Sequence, residues 1–353
     1  MAEPGKLLEV ARTIVALERS GLTLGLACRL VPALVIVLAL GLLAGLPAAG
    51  AVAAGGALTV GFGAFQRLTT SRAVPMLFAF AGIGASTFLG TLTGGSAPLT
   101  IALALLYGFW CGMLPAVSMG AFWIGQQCTI YFLIAGAFHG GIDQALARMA
   151  LVLAGGMVQI AVFGAIVTAE RGRAPHPLLH RMLAEGAVLI IGTRAVAALR
   201  FAPSFAVALA AAVSAERWLD LPNGYWAGMT ALVLLRPDFH DTLARSAGRV
   251  IGTVAGALLA SLLAHVIVPA PPALALLVVA CAFCALATVR LNFGVFALFL
   301  TGYVVFLLVL AGVAEAQVAL ARVEATMLGA AIALITHFQI YLVNRSHAAP
   351  PRG

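Results

Sequence analysis

Long apolar stretches alternate with short polar segments along nearly the whole chain. A membrane-spanning helix needs about 20 consecutive, mostly apolar residues, and irregular backbone cannot face hydrocarbon. The pattern therefore predicts an all-α integral membrane protein with twelve spanning helices. The predicted spans are 28–46, 48–65, 73–91, 97–113, 115–137 and 146–168 in the first half, and 196–216, 222–236, 247–268, 272–289, 293–313 and 321–342 in the second. Counts of eleven or ten stay open, because the seventh span holds Arg200 near its inner end.

The second half of the chain repeats features of the first. Each half has an Arg-x-x-Pro motif that opens an apolar stretch ending in Leu-Pro. The matching positions are Arg29–Pro32 with Arg200–Pro203 and, at an offset of 174, Phe65 with Phe239, Ala147-Arg148 with Ala321-Arg322 and Gly155 with Gly329. We expect two six-helix repeats, 28–168 and 196–343, an arrangement typical of transporters and channels. Six crossings per copy leave both copies in the same orientation, as parallel repeats.

Three polar segments lie outside these repeats. Residues 1–27 are predicted to form a cytoplasmic amphipathic helix, and they lack the long apolar core of a cleavable signal peptide. Residues 169–195 are predicted to form a cytoplasmic linker and a surface helix, because they include the most polar internal stretch of the chain. Residues 344–353 are predicted to be a disordered tail.

The distribution of basic residues predicts the orientation. With the N-terminus inside and twelve spans, all but three of the 20 lysines and arginines fall on the cytoplasmic side. The exceptions are Arg148, Arg217 and Arg322. Cytoplasmic loops of membrane proteins carry an excess of Lys and Arg. Both termini are therefore expected in the cytoplasm.

Composition narrows the function classes. Hydrophobic residues make up 63% of the chain and charged residues 9%, whereas soluble domains carry about 25% charged residues. The net charge of +8 comes from basic residues scattered between spans, so nucleic acid is not an expected partner. Cys281 and Cys284 have metal or redox spacing, but no second pair completes a site. With no phosphate loop or catalytic cluster, we expect no metal, no cofactor and no enzyme activity.

One run in the second half resembles a known family. Residues 221–256 contain Trp226, Arg236-Pro237, Arg245, Arg249 and Gly252-Thr253 in the pattern of the FUSC family, the fusaric-acid-resistance-like proteins that include bacterial aromatic acid exporters. The resemblance implies six-helix repeats, efflux of small aromatic or other organic acids, and a bacterial inner membrane. Plant aluminium-activated malate channels are similar in their membrane domain, which keeps a passive organic-anion channel as an alternative.

The same run carries candidate substrate-binding residues. Arg236, Arg245 and Arg249 offer guanidinium groups that suit a carboxylate. Tyr225 and Trp226 offer rings on which an aromatic substrate can stack. The alternative for the arginines is structural, because groups at the cytoplasmic face also bind lipid phosphates or pair with nearby aspartates.

A second group of polar candidates lies within the spans. Gln126, Gln127 and Tyr131 are predicted near the middle of the fifth span, and the corresponding segment of the second copy offers Thr301 and Tyr303. An unpaired amide in an apolar medium costs about 2–7 kcal/mol. These residues therefore either line a water-filled pathway or join helices to each other through hydrogen bonds.

A proton-coupled carrier often uses a buried ionisable group as its relay. Glu324 and His337, both in the last span, are the nearest candidates. We expect a secondary transporter that exports small organic acids, with a passive anion channel and a non-transporting module that docks a partner as alternatives. The expected partners are the organic acid and the lipid bilayer; a homo-oligomer and a periplasmic adaptor protein both stay open.

Overall fold

The computed structural model describes residues 19–66, 68, 72–171, 195–236, 239–266 and 270–348 of the 353-residue chain. This part contains twelve α-helices and no β-strand. They are α1 Leu24–Leu43, α2 Pro47–Phe62, α3 Ala73–Thr93, α4 Ala97–Met113, α5 Met119–Ala137, α6 Ile142–Arg171, α7 Ala195–Trp218, α8 Tyr225–Leu234, α9 Phe239–Val266, α10 Pro271–Thr288, α11 Phe293–Leu310 and α12 Glu315–Ala348. Each predicted span overlaps one of these helices.

Most of these helices have the length and composition of membrane spans. Nine helices of the described segments, α1–α4, α6 and α9–α12, are long and apolar enough to cross a membrane. The prediction of an all-α, multi-pass membrane protein is therefore confirmed. The other three helices are α5, which contains the two adjacent glutamines, α7, and α8. The ten residues of α8 extend for only about 15 Å, half of the hydrocarbon thickness.

Local sequence explains where several helices begin and end. Pro47 occupies the first turn of α2, where a missing N–H costs little. The side chain of Ser118 accepts a hydrogen bond from Ala121 at the start of α5, and Asn292 caps the first turn of α11 in the same way. Gly312 follows α11 with φ +95°, a backbone conformation that favours glycine.

Some predicted boundaries are wrong. The first predicted span begins at residue 28, whereas α1 begins at Leu24; Pro32 and Pro203 lie inside α1 and α7, as the predicted spans had them. Spanning helices tolerate such prolines because neighbours satisfy the freed backbone groups. Residues 344–348, assigned to a disordered tail, continue α12, since no helix breaker precedes Pro350. The predicted N-terminal amphipathic helix and the surface helix of the linker lie largely outside the described residues.

The helices pack in a defined set of pairs. In the first half, α1 packs on α2 and α6, α2 on α3 and α6, α3 on α5 and α6, and α4 on α5. In the second half, α7 packs on α8 and α12, α8 on α9 and α12, α9 on α11 and α12, and α10 on α11. Between the halves, α4 packs on α7, α1 on α10, α5 on α8, and α2 on α11. One contiguous apolar core extends through both halves.

Glycines allow the closest helix contacts. A Cβ atom on Gly329 of α12 would overlap the carbonyl oxygen of Ala227 on α8. On α9, a Cβ atom on Gly252 or Gly256 would overlap carbonyl oxygens of α11. Small residues at helix interfaces let backbones approach closely in lipid. These contacts bring α8, α9, α11 and α12 together in the second half.

Candidate functional site

Arg322 is the most deeply buried cation of the described residues. It lies on α12 and is only 2% exposed. Its Nε donates a hydrogen bond to Oγ1 of Thr301 on α11, 3.4 Å away. Its guanidinium carbon lies 5.0 Å from the ring centroid of Trp226 on α8. A ring face and a hydroxyl therefore hold this cation, and neither neutralises its charge.

Arg249 is a second buried cation beside the first. It lies on α9, is 7% exposed, and its Nε has no hydrogen-bond partner. The guanidinium groups of Arg249 and Arg322 are close enough to repel each other. Among the described residues, no carboxylate forms an ion pair with either arginine. Burying one unpaired ion costs several kcal/mol, so this pair destabilises the fold unless an anion binds to it. We call Arg249 and Arg322 the arginine pair.

Two buried hydroxyl groups lie on α9 and α11, the helices that carry Arg249 and Thr301. Thr253 lies one helical turn after Arg249 and is fully buried, and Tyr303 is 4% exposed. Neither the Oγ1 atom of Thr253 nor the phenol oxygen of Tyr303 has a hydrogen-bond partner. Buried polar groups are normally satisfied, and unsatisfied ones require an explanation. A bound anion would accept hydrogen bonds from groups of this kind.

The first turn of α8 supplies an aromatic wall. The rings of Tyr225 and Trp226 lie 5.2 Å apart, and both side chains are buried. Tyr225 also contacts Phe138 of α5, with ring centroids 6.3 Å apart. The structure thus brings together four of the residues proposed from the sequence, Tyr225, Trp226, Arg249 and Thr301.

Two other predicted arginines lie half-buried at the N-terminal end of α9 and just after α8. Arg245 is one turn before Arg249, and its guanidinium carbon lies 4.2 Å from the ring centroid of Phe293. The guanidinium of Arg236 lies 5.3 Å from the ring centroid of Phe122 on α5. Arg245 acts electrostatically on Arg249. The arginines therefore form a series from this end of α9 towards the interior.

The glutamines do not join this cluster. The side-chain amide of Gln126 donates a hydrogen bond to the carbonyl oxygen of Leu232, 3.0 Å away. This carbonyl belongs to the last turn of α8, where helix carbonyls lack partners within the helix. The contact joins α5 to α8 across the two halves, which favours the structural role. Gln127 beside it is half-buried.

Tyr131 also lies at a contact between helices. Its hydroxyl donates to Oγ1 of Thr59 on α2, 3.1 Å away. The phenol groups of Tyr131 and Tyr303 are close enough to interact electrostatically. Tyr131 therefore borders the interior from the first half of the chain, on the side of Tyr303.

The two proton-coupling candidates lie in different environments. Glu324 is exposed on α12. It follows Arg322 by two residues, and side chains two residues apart on a helix point in nearly opposite directions. His337 is buried, 5% exposed, four turns further along the same helix. Neither residue forms part of the arginine pair or its aromatic wall.

Sequence reasoning missed Arg322, the centre of the cluster. It was assigned to the outer side because it lies near the start of its span. The sequence did offer one indication of its importance, because Arg148 and Arg322 occupy the same place in the two copies. An arginine inside a span is usually functional. In the first half, Arg148 is half-exposed. The enclosed environment belongs to the second half.

A cavity of about 440 Å³ lies elsewhere, between α3, α4 and α5. Its few polar lining groups are mostly paired with each other: Ser86 shares a hydrogen bond with Tyr107 at 2.9 Å, and Cys111 contacts Thr129 at 3.5 Å. No charged side chain lines it. The described residues also contain no group of three or more His, Cys, Asp or Glu placed to hold a metal ion.

Comparison with known proteins finds a family model that matches much of the second half. Residues 186–336 match the model of the family described as fusaric acid resistance protein-like. The matched range includes the whole arginine pair and its aromatic wall, and it confirms the family resemblance found in the sequence. No curated protein and no solved structure shows significant similarity to the chain.

Proposed function

We propose that this chain, whose second half belongs to the fusaric acid resistance protein-like family, is a secondary transporter that exports small organic acids, aromatic acids among them, across a bacterial inner membrane. The family and the nine apolar helices support transport through a membrane. The observation that carries the proposal is the arginine pair, buried without a carboxylate among the described residues and lying beside Trp226.

The arginine pair supports an anionic substrate on energetic grounds. A buried guanidinium without a counter-ion is costly, and carboxylates bind guanidinium groups through strong, charge-assisted hydrogen bonds. A substrate carboxylate would relieve this cost, while its apolar or aromatic part would lie against the rings of Tyr225 and Trp226. Arg236 and Arg245 would attract the anion at the end of the path nearer the cytoplasm.

We further propose two parallel six-helix repeats, α1–α6 and α7–α12. Every helix pair that packs in the first half has a counterpart in the second, apart from minor contacts. A Cβ on Gly155 would overlap the carbonyl of Ala53, and a Cβ on Gly329 would overlap that of Ala227. The two contacts correspond residue by residue, because Gly155 with Gly329 and Ala53 with Ala227 are each separated by 174 positions. Phe65 and Phe239 both lie at the junction of the second and third helices of their copies, although Phe65 follows α2 and Phe239 begins α9.

Contacts near the ends of helices support twelve crossings with both termini in the cytoplasm. Arg290 donates to the carbonyl oxygen of Phe65 at 2.6 Å, and Arg29 pairs with Glu170 at 2.9 Å. Twelve crossings place both contacts on the cytoplasmic side. Arg217 donates to the carbonyl oxygen of Gly94 at 2.8 Å, and both then lie on the outer side. For the two partners of each contact to lie on the same side of the membrane, the remaining helices α5, α7 and α8 must also cross.

A passive organic-anion channel is the second candidate function. A proton-coupled carrier often uses a buried carboxylate as its proton relay. Glu324, the candidate on α12, is exposed and lies apart from the arginine pair, which favours the channel. A channel and a carrier use the same buried cations but differ in whether they move the anion against its gradient.

Flux through purified protein in proteoliposomes tests the proposal. Labelled 4-hydroxybenzoate and fusaric acid are supplied under an imposed pH gradient. We expect movement of the acid against its gradient, which a protonophore abolishes. Movement only down the gradient would instead establish the channel. No movement of any tested acid would reject both the exporter and the channel. Arg322→Gln and Arg249→Gln should stop the flux. Arg148→Gln, the matched change in the first half, should leave it largely unchanged in equally well-folded protein.

A further inference from the structure

We propose that the arginine pair binds a single doubly charged anion, such as a dicarboxylate, in preference to a monocarboxylate of the same size. The inference rests on the proposed function in taking the interior of the second half as the substrate site. It adds the charge of the preferred substrate. It concerns binding, so it can hold or fail independently of transport.

The first step is the charge of the site. Arg249 and Arg322 are 7% and 2% exposed, repel each other, and form no ion pair with a described carboxylate. One carboxylate would neutralise one guanidinium and leave the other buried and charged. Two negative charges neutralise both, and interactions between opposite charges are strengthened when water is excluded.

The second step concerns the nearest acidic group. Glu216, at the end of α7, acts electrostatically on Tyr225, which Arg322 also influences. Glu216 makes no ion pair with Arg322, and the adjacent Arg217 offsets its charge. Among the described residues, the positive charge of the arginine pair is therefore not neutralised by an ion pair.

The third step is the arrangement of donors. The arginines come from different helices, α9 and α12, and each has its own neighbours. Arg322 is held by Thr301 and Trp226, whereas the Nε of Arg249 has no partner and Thr253 lies one turn away with an unpartnered hydroxyl. Two separate donor groups suit an anion with two acidic groups more than one compact carboxylate. The ring of Trp226 provides an apolar surface for the carbon skeleton between them.

The test is binding by isothermal titration calorimetry to the full-length protein in detergent at neutral pH. Benzoate is compared with phthalate, isophthalate and terephthalate, which share its ring and carry a second carboxylate at three different spacings. We expect at least one dicarboxylate to bind about tenfold or more tightly than benzoate, because one added charge-assisted hydrogen-bonded pair contributes at least this much.

Variants assign the preference to the arginine pair. In Arg249→Gln and in Arg322→Gln, the ratio of the two affinities should fall to about one. Arg148→Gln should keep the wild-type ratio. If Arg322→Gln fails to fold, Arg322→Lys retains the charge and should keep a preference for the dicarboxylate, while Arg249→Gln still removes it.

Equal affinities for benzoate and every dicarboxylate, a preference that survives Arg249→Gln, or binding of none of these acids would each overturn the inference. Flux assays separate its failure from that of the proposed function. Uphill transport of benzoate without any preference would leave the exporter intact and reject the doubly charged substrate. A preference for dicarboxylates without flux would support the inference and reject transport.

Discussion

At the scale of single residues, the decisive feature is a buried arginine that no carboxylate of the described segments pairs with. Thr301 accepts one hydrogen bond from Arg322, and the ring of Trp226 faces its guanidinium. These neighbours orient the charge without neutralising it, so the cation stays available to an anion that enters later. A glutamate in place of either neighbour would satisfy the arginine permanently and remove this availability.

Trp226 should contribute to substrate affinity through its ring. Replacing it by leucine removes both the cation–π contact with Arg322 and the stacking surface, which together are worth about 1–2 kcal/mol. We expect Trp226→Leu to raise KM for export about tenfold, and Trp226→Phe to raise it about threefold or less. Trp218, which is 85% exposed, is the control, and Trp218→Leu should leave KM unchanged. An unchanged KM in Trp226→Leu would remove the ring from the site.

At the scale of helices, close contacts decide which face of each helix points inward. Gly329 lets α12 lie against the backbone of α8, and this contact turns Arg322 towards Trp226 while Glu324 faces outward. On α9, Gly252 and Gly256 bring the backbone against α11 in the same way. The position of the arginine pair therefore follows from the small residues around it.

Gly329→Ala should destabilise the protein by about 1–3 kcal/mol, the usual cost of an added group in a tightly packed interface. Thermal unfolding in detergent measures the change. Gly164→Ala on α6 is the matched control, because no atom lies within 4 Å of its added Cβ and alanine favours the helix. A tolerated Gly329→Ala with wild-type stability would contradict the close approach of α8 and α12.

Gln126 should stabilise the contact between α5 and α8. Gln126→Leu leaves the carbonyl of Leu232 buried without its partner, and we expect a loss of about 1–3 kcal/mol in unfolding free energy. Gln127→Leu should have a smaller effect. Flux per folded molecule should be retained in both. If Gln126→Leu folds with full stability yet loses flux, the glutamine lines the path instead.

At the scale of the whole molecule, apolar length was sufficient to predict the helices. Every predicted span overlaps a helix because each crossing requires about the same number of apolar residues. The start of α9 was not predicted: it begins at Phe239, eight residues before its predicted span, and the ring of Phe293 on α11 lies against Arg245 in this added part. Part of the site was predictable, because Trp226 and Arg249 lie in a run that resembles a known family. The inward orientation of Arg322 was not, because it depends on how α12 packs against α8.

The proposed topology places the loop between α3 and α4 on the outer side of the membrane and the segment before α1 in the cytoplasm. In a variant whose five cysteines are replaced by alanine, a cysteine introduced at exposed Ser96 should react with a membrane-impermeant maleimide in intact cells. A cysteine at exposed Ser20 should react only after the membrane is permeabilised. Labelling of both positions in intact cells would contradict cytoplasmic termini.

The central claim is that an organic anion binds between Arg249 and Arg322 in the second half. The most direct measurement is an electron cryo-microscopy map of the full-length protein with a bound aromatic dicarboxylate, compared with a map of the unliganded protein. We predict new density between the two guanidinium groups, with the ring against Trp226. Density confined to the cavity between α3, α4 and α5, or an unchanged interior at saturating ligand, would contradict the account.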